Sequence, residues 1–215
     1  MTAVVIKLLS LLTVLSLADV QAQTADCSTY QWSFKEISEK LKIPGDCLKS
    51  LIDEWTDSQT AEIFINLNRL VDIIKKSEKS ACKDASPKQC PVPEAPSNGG
   101  VVCVSVGEKR YCKPMCNKGY DFAFLRRSRL YEECSNDTVY HWTTQYVGGN
   151  RLAICDESNT PIAGAPSAYF PENQDCFTTQ SNSTLELKVI NIFQEELGAK
   201  NIAGPYKDKC LMCGK

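Results

Sequence analysis

Histidine is nearly absent from this 215-residue chain: His141 is the only imidazole. That scarcity argues against mixed Cys/His zinc sites and against a histidine-centred nucleophile and base, and no Gly-x-Ser-x-Gly motif offers an alternative hydrolase nucleophile. An excess of one charge is also missing. The 24 basic and 26 acidic groups leave a formal net charge of −2, unevenly distributed but with no segment charged enough to demand a nucleic-acid partner. After the first two dozen residues no long apolar stretch remains, so no membrane span is expected either.

The N-terminal stretch is different. Met1 to Ala18 is apolar apart from Lys7 and small hydroxylated residues, and it ends near Val20-Gln-Ala22. This reads as a signal peptide over 1–22, cleaved after Ala22, with a buried helix or a retained anchor as the alternative. All 12 cysteines lie beyond it: Cys27, Cys47, Cys82, Cys90, Cys103, Cys112, Cys116, Cys134, Cys155, Cys176, Cys210 and Cys213. In an exported chain thiols pair rather than hold metal, so the expectation is a disulfide framework, no metal and no cofactor. Asn136-Asp-Thr138 and Asn182-Ser-Thr184 are N-glycosylation acceptors, which predicts exposed loops at Asn136 and Asn182 and a glycoprotein.

The fold class expected is α+β. Residues 23–84 read as a small helical bundle. Ser33-Phe-Lys-Glu36 has the form of a capping box, Asp46 can cap a second helix, and Asp57 or Ser58 opens a third whose Ile63, Leu67, Leu70 and Ile74 draw an apolar stripe. Prolines between Ala85 and Pro96 mark a stiff boundary, with 85–89 as linker. From Cys90 to Cys155 short β-favouring runs alternate with Gly, Asn and Pro. The segment 156–215 reads as a polar loop followed by a helix, since Ser183-Thr-Leu-Glu186 repeats the capping-box pattern and Gly198 stands where a helix would stop. The alternation Leu185, Leu187, Val189 leaves a strand open as the other reading.

Within 90–155 the order Cys90-Pro91, Asn98-Gly99, Cys116, Gly119-Tyr120, Cys134, Trp142, Cys155 resembles a sushi (complement control protein) module. In that family the first and third framework cysteines pair, as do the second and fourth, and a tryptophan packs in the small core. The resemblance therefore implies Cys90–Cys134 and Cys116–Cys155 with Trp142 and Tyr120 buried. Cys103 and Cys112 would add a bridge across a hairpin through Gly107. The sequence departs from the family pattern in lacking a glycine before Trp142 and in carrying Leu152-Ala-Ile154 before the last cysteine. If the module uses six cysteines, three remain on each flank, so an odd number of bridges must join the helical segment to the tail unless the protein is disulfide-linked to a partner, and fifteen connectivities stay open for the six. The preferred arrangement bridges two N-terminal cysteines and ties the third to Cys210 or Cys213. Cys210-Leu-Met-Cys213 also has the spacing of a redox pair, but no βαβ pattern precedes it.

The candidate binding residues are basic. Lys109, Arg110, Lys113, Lys118, Arg126, Arg127 and Arg129 fall in one stretch whose only acid is Asp121. On extended strands several could share a face and attract a sulfated glycan or an acidic protein surface; the other reading is a set of dispersed, solvated charges. The function expected is a secreted, non-catalytic extracellular binding or matrix protein acting through the sushi-like module on an extracellular protein or sulfated glycan. A carrier or protease inhibitor built from the helical segment and tail is the alternative, and an extracellular hydrolase the third.

Overall fold

The computed structural model describes residues 33–42, 45–78, 82, 84–144 and 148–214, so Cys27 and the expected signal peptide lie outside the described residues. The chain divides into two units, residues 1–62 and 63–215. Among the described residues no helix is long and apolar enough to cross a membrane.

Three helices open the described chain: α1 (Phe34–Leu41), α2 (Gly45–Ile52) and α3 (Asp57–Glu78). The Ser33 hydroxyl accepts from the Glu36 N–H at 3.3 Å while the Ser33 N–H donates to the Glu36 carboxylate at 2.7 Å, which satisfies two free donors of α1. Thr56 and Gln59 make the same exchange ahead of α3. Among the described residues no core of the expected bundle is seen. No described side chain in 33–74 is buried, and Ile63, Leu67, Leu70 and Ile74 are all exposed. Caps and periodicity specify each helix locally, and neither specifies what its apolar face packs against.

The remaining elements follow in order: β1 (Gly99–Val106), β2 (Lys109–Cys116), β3 (Tyr120–Phe122), β4 (Glu132–Ser135), β5 (Cys155–Glu157), α4 (Cys176–Gln180), α5 (Ser183–Gly198) and β6 (Tyr206–Cys213). The main sheet is antiparallel with order β4-β2-β1-β6, and β3 pairs with β5 in a second, two-stranded sheet. β1 turns into β2 through Gly107, whose φ of +56° suits a residue without a Cβ. Cys103 then stands directly opposite Cys112, and the two are bridged.

β1 is buried on both faces, so its Gly-Gly-Val-Val-Cys-Val-Ser-Val sequence is a continuous small-apolar run rather than an alternation. Val102 and Val104 meet Ile190, Phe193 and Leu197 of α5, together with Tyr111, Met115 and Leu211. Val101 and Cys103 face the other side, where Trp142 and Leu152 pack among cysteines of three bridges: Cys82–Cys210, Cys90–Cys134 and Cys103–Cys112. One face is thus covered by a helix and the other by sulfur and indole. Trp142 is fixed by its indole N–H, which donates to the Pro91 carbonyl at 3.0 Å. Tyr120, expected in the core, is half-buried beside Cys116–Cys155.

The tail differs from expectation in two ways. Residues 90–155 do not close on themselves, because β6 occupies the second edge of β1 with Gly100 opposite Cys213 and Cys103 opposite Cys210. A central strand needs hydrogen-bond partners on both edges, and here the tail supplies one. The tail is also more than loop and helix. α5 forms over the expected residues, but its cap is Asn182, whose Oδ1 accepts from the N–H groups of Thr184 and Leu185, and not Ser183. Glu186, not needed for a capping box, accepts instead from the Leu211 N–H, while Gln180 donates to the Leu211 carbonyl at 2.8 Å. Both main-chain groups of Leu211 on the sheet edge are therefore occupied, which blunts that edge against further strand pairing.

The C-x-x-C pair is separated by strand geometry. Residues three apart on a strand point to opposite faces. Cys210 accordingly joins Cys82 on the tryptophan side and Cys213 joins Cys176 on the helix side, so the two do not bond each other as a redox pair would. One bridge, Cys82–Cys210, thus ties the N-terminal segment to the tail. Cys47 is exposed and unbridged, so the expected pairing of two N-terminal cysteines does not include it.

Candidate functional site

The seven candidate basic residues do not gather on one exposed face. Arg110 is 2 % exposed, and its guanidinium donates to Ser105 Oγ at 3.1 Å, to the Asp208 carbonyl and to Cys210 Sγ; burial pushes its pKa down to about 10. Lys113 is 1 % exposed and points to the other side of β2, where its ammonium meets the Glu196 carboxylate at 2.6 Å and Ser167 Oγ at 3.1 Å. Arg126 is buried on Glu132 at 2.8 Å and stacks over the Phe122 ring. Arg129 shares the second oxygen of Glu132 at 2.7 Å. Lys109 pairs with Asp137 and with Glu133, and these contacts raise its pKa. Burial forces Arg110, Lys113 and Arg126 to find partners, because an unpaired charge inside the fold is far costlier than a paired one.

Lys118 and Arg127 are left, both exposed and in no ion pair among the described residues. They line one cleft of about 500 Å³, together with Ile162, Tyr169, Pro171 and Glu172 among others. A second depression of about 360 Å³ shares Lys118, Pro171 and Glu172 with the first and continues to Asn173 and Asp175. Lys118 sits in the turn between β2 and β3, where the Asn117 N–H donates to the Asn98 carbonyl at 2.8 Å and Gly119 takes a φ of +87°. Arg127 sits in a turn held by the Arg126 N–H on the Ala163 carbonyl and the Arg129 N–H on the Arg126 carbonyl.

The opposite wall, 161–172, hangs from Asp121. Its buried carboxylate accepts from the N–H groups of Phe122 at 2.8 Å, Ile162 at 2.9 Å and Ala163 at 3.0 Å, and from the Tyr169 hydroxyl. Burial alone would raise its pKa, but the Tyr169 hydroxyl and the backbone donors outweigh that and hold it below the usual carboxylate value. The Tyr169 hydroxyl in turn accepts from the Gly164 N–H at 2.7 Å, and burial with the neighbouring carboxylate pushes its pKa up to about 12. The bridge Cys116–Cys155 anchors β5, next to the start of this wall, to the end of β2. Sequence reasoning missed Asp121, Ile162, Tyr169, Pro171 and Glu172. The available signal was Asp121 itself, the single acid in a basic stretch.

Two further features bear on chemistry. Ser167 Oγ donates to Glu196 while receiving from Lys113, a serine between an ammonium and a carboxylate. With Glu196 committed to Lys113, the cluster fastens α5 to β2 and leaves no unpaired base beside the hydroxyl. Next to it is a mostly apolar depression of about 210 Å³ lined by Met115, Tyr169, Leu185, Lys188, Val189 and Ile192 among others. His141 is exposed, with Nδ1 against the Val139 carbonyl at 2.7 Å. Asn136 and Asn182 are both exposed, the first opening a 3-10 turn and the second capping α5. Among the described residues no group of three or more His, Cys, Asp or Glu is placed to hold a metal ion.

No family model matches this chain, and no curated protein or solved structure matches it.

Proposed function

We propose that the chain is a secreted, non-catalytic binding protein of the extracellular space, whose sushi-like segment and tail together present a recognition cleft. The observation that carries this reading is the cleft itself: loops 117–119, 126–129 and 161–172 converge on about 500 Å³ with two cations that are in no ion pair among the described residues, on a scaffold whose described residues hold five disulfides. Rigid scaffolds with loop-borne clefts are the usual way to hold a binding site at low entropic cost. Multiple disulfides are typical of exported proteins. The pairings Cys90–Cys134 and Cys116–Cys155 with a buried Trp142 support kinship with sushi modules, and the sheet completed by β6 is this chain's own variation. Glycans at Asn136 and Asn182 are part of the proposal, both side chains being exposed.

The test is saturable binding of the full secreted chain to arrays of extracellular domains and sulfated glycans, before and after reduction. Binding that is lost on reduction supports the reading, and no binding to any array member contradicts it. The carrier reading is favoured by one feature, the apolar depression beside α5. Native mass spectrometry of the secreted chain separates the two, since a carrier retains a small apolar ligand.

A further inference from the structure

We infer that the cleft recognises a short extended peptide segment of a partner protein, one carrying an acidic residue next to an apolar one, and not a sulfated polysaccharide. This rests on the binding reading above and names its ligand. Glycosaminoglycan-like chains bear charge on nearly every unit and bind where many cations line up. Here five of the seven basic residues are consumed internally by Glu132, Glu133, Asp137, Glu196 and backbone carbonyls, which leaves only Lys118 and Arg127 at the cleft.

The rest of the lining points the same way. Pro161, Ile162, Pro166 and Pro171 give the cleft an apolar floor that a polysulfated chain cannot use and an aliphatic or aromatic side chain can. Going along the groove, the sign changes. Arg127 lines the first depression, Lys118 and Glu172 line both, and Asp175 lines the second, so a polyanion following the groove leaves the arginine and runs into two carboxylates. A peptide satisfies this pattern with one carboxylate at Arg127 and Lys118, an apolar side chain over the prolines, and a neutral or basic residue toward Asp175. The prolines and the four hydrogen bonds onto Asp121 fix the wall before binding, which lowers the ordering cost for a flexible ligand.

The experiment uses the full glycosylated chain as bait for a random twelve-residue peptide display library. Affinities of the enriched peptides are then measured by fluorescence polarisation against the native chain, Lys118→Glu and Arg127→Glu. Both substitutions are at exposed positions, and an unchanged thermal midpoint verifies folding. The expected result is enrichment of acidic-apolar peptides. Each reversal should weaken them about tenfold, and changing the peptide's acid to lysine should restore binding to the Arg127→Glu chain. Enriched peptides without an acid, or peptides indifferent to both reversals, overturn the inference while leaving a binding protein in place. Retention on immobilised heparin that both reversals abolish, with no peptide enriched, assigns the cleft to a glycan and overturns it in the other direction.

Discussion

Asp121→Asn changes one atom and tests how the cleft wall is held. Three backbone N–H groups and the Tyr169 hydroxyl converge on the native carboxylate. Asparagine keeps one acceptor oxygen and turns an NH2 toward groups that are themselves donors, so at least two charge-assisted bonds are lost. At about 1.5 kcal/mol each the raw loss is roughly 3 kcal/mol, and relaxation of the half-exposed loop toward water returns part of it. The expected destabilisation is about 2–3 kcal/mol, which for a domain of this size lowers Tm by roughly 4–12 °C. Acid gives an independent reading. Because the folded-state pKa of Asp121 is held below its ordinary value, its contribution is fully present above about pH 4 and is lost as the pH falls through the folded value. Native stability should therefore drop on acidification below about pH 4, and the asparagine variant should drop less steeply there. Calorimetry from pH 3 to 7 and amide exchange over 161–169 are the assays. Equal stability of the two proteins at pH 7, with unchanged exchange in that loop, would refute the idea that Asp121 holds the wall.

Other outcomes follow from contacts elsewhere. Glu196→Ala strands a buried ammonium on Lys113 and should cost about 3–5 kcal/mol, whereas the paired change Lys113→Met with Glu196→Leu should cost far less; urea unfolding of the two proteins decides it. Glu186 is half-buried, and burial raises its pKa despite the Leu211 N–H, so the protein loses a little stability as the pH rises through that raised value. Glu186→Gln keeps an acceptor for Leu211 and should be as stable as the native chain or a few tenths of a kcal/mol more stable at pH 7; a loss beyond about 1 kcal/mol would contradict the burial argument. Replacing both Cys82 and Cys210 by serine opens a link across 128 residues, and because other bridges already shorten that loop the expected cost is about 3 kcal/mol by chemical denaturation.

How far the sequence led depended on whether a feature was local. Ser33 and Glu36 close on each other three residues apart, so α1 was legible, as was the hairpin at Gly107 with Cys103 facing Cys112. β6 was not. Its Cys210–Cys213 half is buried on both sides and its Tyr206–Lys209 half is largely exposed, so no alternation marks it as a strand. Which basic residues stay exposed was not legible, because residue type says nothing about partners. Glu196 lies 83 positions from Lys113, and the carboxylate that neutralises Arg126 and Arg129 belongs to Glu132, which looks like solvated surface in the sequence and is fully buried in the fold. The cleft was hidden for the same reason: Asp121 and Tyr169 meet across 48 residues.

Peptide mapping of the chain without reduction tests the central claim most directly, because the cleft and both faces of the sheet depend on the bridge pattern. The prediction is Cys82–Cys210, Cys90–Cys134, Cys103–Cys112, Cys116–Cys155 and Cys176–Cys213. A Cys210–Cys213 bridge would contradict it, since two cysteines three apart on one strand cannot meet while β6 completes the sheet.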